Sequence, residues 1–191
     1  MRKITSMIIG QQKIDYMPLT VVGSPTIVDG VVSGFITRTD YLATTENISV
    51  EQLGIKSELC LDVNFNNDSF SLYNIGTNNN LRSFYSKNPN HLVVKIGNSS
   101  SYNFVLPNNL NITIYHKFKM VFNNYKCSVY VDNVFIEEHQ FEIPTNPTSE
   151  NVLQIGSEGW VYSAGRAFNG LVNILNSYII LNGIKYKFTL P

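Results

Sequence analysis

The acidic side chains are the first residues to test for chemistry. In ELCLDVNF (residues 58–65), Glu58 and Asp62 fall on one face of an alternating run, with Cys60 between them. Hydrolysis of a glycosidic bond needs two carboxyls flanking it, one ionised and one protonated. Residues two apart on a strand share a face, so a catalytic strand would show acids at that spacing. Glu137 and Glu138 are adjacent and therefore point to opposite faces, and Glu158 stands alone beside Trp160. No catalytic residue is assigned. The histidines His91, His116 and His139 lie far apart in different strand contexts, without a second ligand at metal-binding spacing. Each reads as solvated or hydrogen-bonded. Asp29, Asp62 and Asp132 offer oxygen to a calcium ion, but nothing has EF-hand spacing, so no metal is expected. A phosphate loop, a dinucleotide fingerprint and a nucleophile elbow are all missing, and no cofactor is expected.

Residues suited to binding are easier to find. Trp160 and Tyr162 sit in GSEGWVYSAGR, where the indole either plugs the core or forms a stacking platform for a sugar ring with Tyr162. Asn78, Asn79 and Asn80, with Arg82 and Tyr85, form either a solvated loop or a set of amide, guanidinium and hydroxyl groups for a polyhydroxylated ligand.

Composition limits the partners. The 191 residues suffice for one packed domain, with or without a short arm. Lys plus Arg equals Asp plus Glu at 14 each, so the basic excess of a nucleic-acid grip is missing. The apolar stretch after Met1 is interrupted by Gln11-Gln12-Lys13, too early for a signal peptide, and nothing approaches a membrane span. Cytoplasmic synthesis without a leader is expected, with no membrane insertion. Cys60 and Cys127 sit in alternating apolar runs, the setting of buried free thiols, and the sequence does not fix whether they pair. The Asn-x-Ser/Thr sequons at Asn47, Asn67, Asn98 and Asn111 are what chance gives in so Asn-rich a chain.

The elements that must position these residues are strands. Period-two alternation recurs from about residue 58 onward. Leu59, Leu61, Val63 and Phe65 share one face, and Phe118, Met120 and Phe122 alternate with Lys117 and Lys119. SFSLYNIG, LRSFYSK, HLVVKIG, YNFVL and NITIY read as further strands. KCSVYVDNVFIEE (126–138) reads as a hairpin with Asp132-Asn133 at its tip, and SYIILNGIKYKF as another with Asn182-Gly183. SVEQLG (49–54) reads as one capped helical turn, with Ser49 as cap and Gln52 three residues on. Short strands with turn chemistry between them predict an all-β, two-sheet antiparallel jelly-roll sandwich. Residues 1–20 are expected to form an N-terminal arm or edge strand, and residues 21–191 the jelly-roll domain.

Three segments resemble the laminin-G-like, or concanavalin A-like lectin/glucanase, superfamily. GSPTIVDGVVSGFITRTDYLATT (23–45) is similar to its opening segment, with an Asp-Gly turn and a Tyr-Leu pair. In YHKFKMVFNNYKCSVYVDNVFIEE (115–138), Val129 to Asn133 stand where the superfamily has Leu-Tyr-Val-Asp-Gly, with Asn133 for Gly. In LQIGSEGWVYSAGRAFNGLVNILNSYIIL (153–181), Phe168, Gly170, Val172, Asn173 and Tyr178 match the closing segment, with Asn173 for the usual Asp. The resemblance implies a concanavalin A-like jelly roll. The Glu-x-Asp-x-x-Glu strand of the glucanase branch is not present. Residues 23–45 also resemble small laminin-G-like proteins of tailed bacteriophages. That likeness implies a non-catalytic virion protein, structural or for host attachment, that binds other virion subunits through its N-terminal arm, engages host-surface glycans and forms oligomers. A divergent glycosidase or a bacterial surface adhesin on the same fold is the alternative.

Overall fold

A computed structural model describes residues 14–35, 40–66, 69–75, 81–86, 90–96, 101–146, 148, 150–156 and 168–191. The strands are β1 (Ile14–Val22), β2 (Thr26–Val28), β3 (Val31–Ser33), β4 (Tyr41–Ser49), β5 (Lys56–Phe65), β6 (Ser69–Ile75), β7 (Leu81–Ser86) and β8 (His91–Ile96). They continue with β9 (Tyr102–Val105), β10 (His116–Asn123), β11 (Lys126–Val131), β12 (Val134–Gln140), β13 (Glu150–Ile155), β14 (Gly170–Leu181) and β15 (Ile184–Thr189). One short helix, α1 (Val50–Ile55), carries the expected capping box. Gln52 N–H donates to Ser49 Oγ at 3.0 Å, and Ser49 N–H donates to Gln52 Oε1 at 2.8 Å.

The strands form two sheets. The first runs β12-β11-β10-β5-β14-β15-β1 and the second β1-β4-β13-β6-β7-β8-β9. The molecule is the all-β jelly-roll sandwich that the alternation predicts. β1 is the edge strand of both sheets in turn. Ile14 to Pro18 run parallel to β15, and Leu19 to Val22 run antiparallel to β4. Pro18 sits at the switch, where a residue without an N–H leaves one ladder before the next begins. The β1–β15 pairing is the parallel exception among the described ladders.

The core lies between the sheets. Leu59, Leu61, Val63 and Phe65 of β5 are wholly buried, as are Phe118 and Met120 of β10. From the second sheet, Tyr73 Oη donates to Met120 Sδ at 3.1 Å across the core. Phe65 and Phe118 pack edge to face at 5.3 Å. Cys127 faces this core and Cys60 the opposite side of the first sheet, so both are free and buried, with no geometry for a bridge.

One expected strand is absent. Residues 111–115 (NITIY) form turns. Asn111 Oδ1 accepts Thr113 N–H at 3.2 Å and Thr113 Oγ1–H at 2.8 Å, a local bonding pattern that competes with a ladder.

Candidate ligand-binding surface

The binding residues read from the sequence fall mainly outside the described residues. Asn78, Asn79, Asn80, Trp160 and Tyr162 all lie there. Arg82 and Tyr85 are placed by backbone register on β7. Arg82 stands opposite Asn74 of β6 and Lys95 of β8, and Tyr85 opposite Ser69 and Leu92. The row through Arg82 continues to Gln154 and Ala43. It therefore gathers amide and cationic residue types on the second sheet, and Asn74 Nδ2 donates to Gln154 Oε1 at 3.4 Å.

The best-defined surface belongs to the first sheet, on its outward side. Because Leu59 and Leu61 face the core, Glu58 and Cys60 must face away from it. Glu58 stands between Ile180 of β14 and Val121 of β10 in the ladder. Those three residues, with Lys56, Asn123 and Gly183, line a hollow of about 500 Å³. That volume lies in the range of small-ligand sites. Two hairpin tips frame it. Asn182-Gly183 closes β14–β15, and Asn124-Tyr125 closes β10–β11, in both cases with positive φ at both tip residues.

Tyr178, two residues from Ile180 and opposite Cys60, sends its hydroxyl to Glu58 Oε1. Among the described residues, Glu58 Oε2 has no hydrogen-bond partner and remains an acceptor for a ligand. Lys185 Nζ lies 3.7 Å from the centroid of the Tyr178 ring, a cation–π contact that backs the ring from β15. Burial, and then the bond to Glu58, push the Tyr178 hydroxyl far up, so it stays protonated and donates. Burial also pushes the Cys60 thiol up to about 11, which leaves it a thiol at neutral pH and a poor nucleophile. The hollow thus offers an apolar pair, one carboxylate, one ammonium and one amide, a set suited to holding a hydroxylated ring.

In the sequence, Glu58 stands out only as half of a missing acid pair, and Ile180 and Val121 do not stand out at all. The alternation in SYIIL and KFKMVF puts Ile180 and Val121 on outward faces. What the alternation lacks is the cross-strand register that brings three distant segments together.

Two other polar clusters are structural. His116 Nδ1 lies 2.6 Å from Asp132 Oδ2, and its Nε2 lies 2.9 Å from the Asn111 carbonyl oxygen. Lys117 N–H donates to Asp132 Oδ1 at 2.9 Å. Burial raises the proton affinity of Asp132, but the His116 bond and the Lys117 N–H outweigh it and hold the carboxyl below its usual range. Tyr102 of β9 stacks on His139 of β12 at 3.7 Å and donates its hydroxyl to Glu137.

No protein-family model matches the sequence, and no curated protein sequence matches it. Solved structures do match in fold. Trypanosoma rangeli sialidase in complex with sialic acid is similar at TM-score 0.59 and 10% identity, over 91% of this chain and 28% of that chain. The LG4-5 domains of the mouse laminin alpha1 chain are similar at TM-score 0.57 and 13% identity, over 93% and 47%. Domain 4 of an extracellular arabinanase from Geobacillus stearothermophilus, in complex with arabinotriose, is similar at TM-score 0.54 and 14% identity, over 81% and 78%. The chain spans only about a quarter of the sialidase it matches. These likenesses establish the concanavalin A-like jelly-roll fold.

Proposed function

We propose that this chain is a non-catalytic carbohydrate-binding module, serving a virion as a structural or host-attachment protein. The observation that carries the sugar-binding reading is the hollow around Glu58, where Val121 and Ile180 flank a carboxylate with a free oxygen. A sugar ring offers an apolar C–H face to such walls and hydroxyl donors to such an oxygen. The arabinanase domain, solved in complex with arabinotriose, supports sugar binding on this architecture. What supports the virion setting is the resemblance of residues 23–45 to small phage proteins. In that setting the segment before β1 docks to other subunits, and the glycans belong to the host surface.

A divergent glycosidase is the second reading, and the Tyr178–Glu58 pair favours it, because sialidases use a tyrosine nucleophile. A tyrosine is made nucleophilic by a lowered proton affinity or by an adjacent general base. Burial and the neighbouring carboxylate raise the proton affinity of Tyr178, so this reading requires Glu58 to take the proton as the hydroxyl attacks. Among the described residues, Glu58 is the one acid lining the hollow, which leaves no second carboxyl to protonate a leaving group.

A glycan array probed with wild type, Glu58→Gln and Trp160→Ala tests the reading. Wild type binds a defined glycan set, and Glu58→Gln binds it about tenfold more weakly, as loss of one charge-assisted bond requires. Trp160→Ala reports whether the segment between β13 and β14 contributes. Failure of wild type to bind any glycan would leave only a structural role, and release of chromophore from aryl glycosides would restore the enzyme. Capsid or tail genes adjacent in the genome support the virion setting, and their absence removes it.

A further inference from the structure

We propose that the outward face of the first sheet, beyond the hollow, binds a linear acidic polysaccharide laid across its strands. This deepens the carbohydrate-binding reading and rests on it. The ladder aligns one row over seven strands of the sheet, from β1 to β12. It begins at Tyr16 and Lys187 and passes Tyr178 and Cys60. It then reaches Lys119, Tyr130 and Phe135. Six interstrand steps of about 4.8 Å make a track of ~29 Å, with the two lysines ~14 Å apart.

The row holds two lysines and no acid, on a chain whose formal charges cancel. Of the acids beside it, Glu138 pairs with Lys126 at 3.3 Å, and Glu58 accepts the Tyr178 hydroxyl while keeping its charge. Asp62 is buried and accepts Asn176 Nδ2–H at 2.8 Å. Neither Lys119 nor Lys187 has an acidic partner among the described residues. Lys119 Nζ instead lies 4.7 Å over the Tyr130 ring and 3.4 Å from Asn133 Oδ1, contacts that position the ammonium without neutralising it. Lys117 and Lys185 add positive charge on the flanking rows. At the two ends, Tyr16 and Phe135 are 67% and 52% exposed, with Phe135 edge-on to the Tyr130 ring at 5.5 Å.

Cations at separate stations between exposed rings match a chain of sugar rings carrying anionic groups, whereas a small anion would meet one lysine only. Single-stranded nucleic acid is also anionic and stackable, but it carries a phosphate at every nucleotide and is held by a groove lined with cations, which two lysines on this row do not make.

The test is calorimetric titration of the whole chain with polygalacturonate, dextran sulfate, neutral dextran and single-stranded DNA, at about 50 and about 300 mM salt. Wild type and the double variants Lys119→Gln/Lys187→Gln and Tyr16→Ala/Phe135→Ala are compared. Wild type is expected to bind at least one acidic polymer and not dextran, with polygalacturonate against dextran sulfate telling carboxylate from sulfate. The lysine variant should weaken that binding about tenfold or more, and higher salt should weaken it too. The proposal is overturned if neither acidic polymer binds, if the double variants bind as wild type does, or if DNA binds equally well. If short neutral glycans bind in a Glu58-dependent way while acidic polymers do not, the hollow stands and this track falls. Acidic-polymer binding without any Glu58-dependent glycan means that the track stands and the hollow falls.

Discussion

Gly170 shows how closely single positions are constrained. It opens β14 opposite Phe65, and a Cβ added there would overlap the carbonyl oxygen of Asn64. Backbone cannot swing aside as a side chain can. Gly170→Ala is expected to cost ~1–3 kcal/mol by denaturant melting, the usual penalty of overpacking. Gly183→Ala is the contrast. Its added carbon meets nothing, and only its φ of +83° resists, at roughly 1 kcal/mol. Asp132 gives a prediction in pH. Its carboxyl is held below the usual range when folded, so it stabilises the fold fully above about pH 4 and stops doing so as pH falls through its lowered value. Wild type should therefore exceed Asp132→Asn in stability at neutral pH, and the gap should close in acid. A gap that persists at the lowest pH would mean that the carboxylate's charge is not the cause. None of these contacts is legible in the sequence, which shows Asp132 only as a turn residue and as an oxygen donor for a calcium ion.

The hairpins and the helical turn are the most legible elements, because their signals are local. Asp132-Asn133 and Asn182-Gly183 both form tips with positive φ at each residue. Asn133 stands where Gly is usual and takes φ +66°. Ser49 caps α1 as its spacing with Gln52 indicates, and Ser49→Ala should cost about 0.5–2 kcal/mol in melting experiments. Asn124-Tyr125 does not read as a tip, because a bulky residue seldom takes positive φ. Tyr125 does so at +60° with its side chain buried, and its ring occupies the space that a side chain on Gly54 would need. Tertiary packing decides that turn. The same holds for NITIY, whose alternation reads as a strand until the Asn111 side chain captures Thr113.

The sandwich as a whole closes on itself by two different means. On one side β1 passes from β15 to β4 and joins the sheets through backbone. On the other, the outer strands β9 and β12 meet through side chains, where Tyr102 stacks on His139 and Tyr102 bonds Glu137. Covering free edges in this way limits edge-to-edge association. The jelly-roll class can be read from alternation and turns, because the strands of a sandwich keep one face in the core. The site cannot, because Glu58, Val121 and Ile180 become neighbours only through the order β10-β5-β14. The most direct test of the hollow as a sugar site is amide chemical-shift mapping by NMR with an array-selected oligosaccharide. Shifts concentrated at Glu58, Val121, Ile180 and Gly183, and lost in Glu58→Gln, are the predicted result. Shifts confined to β6, β7 and β8 of the second sheet, with those four amides unmoved, would contradict it.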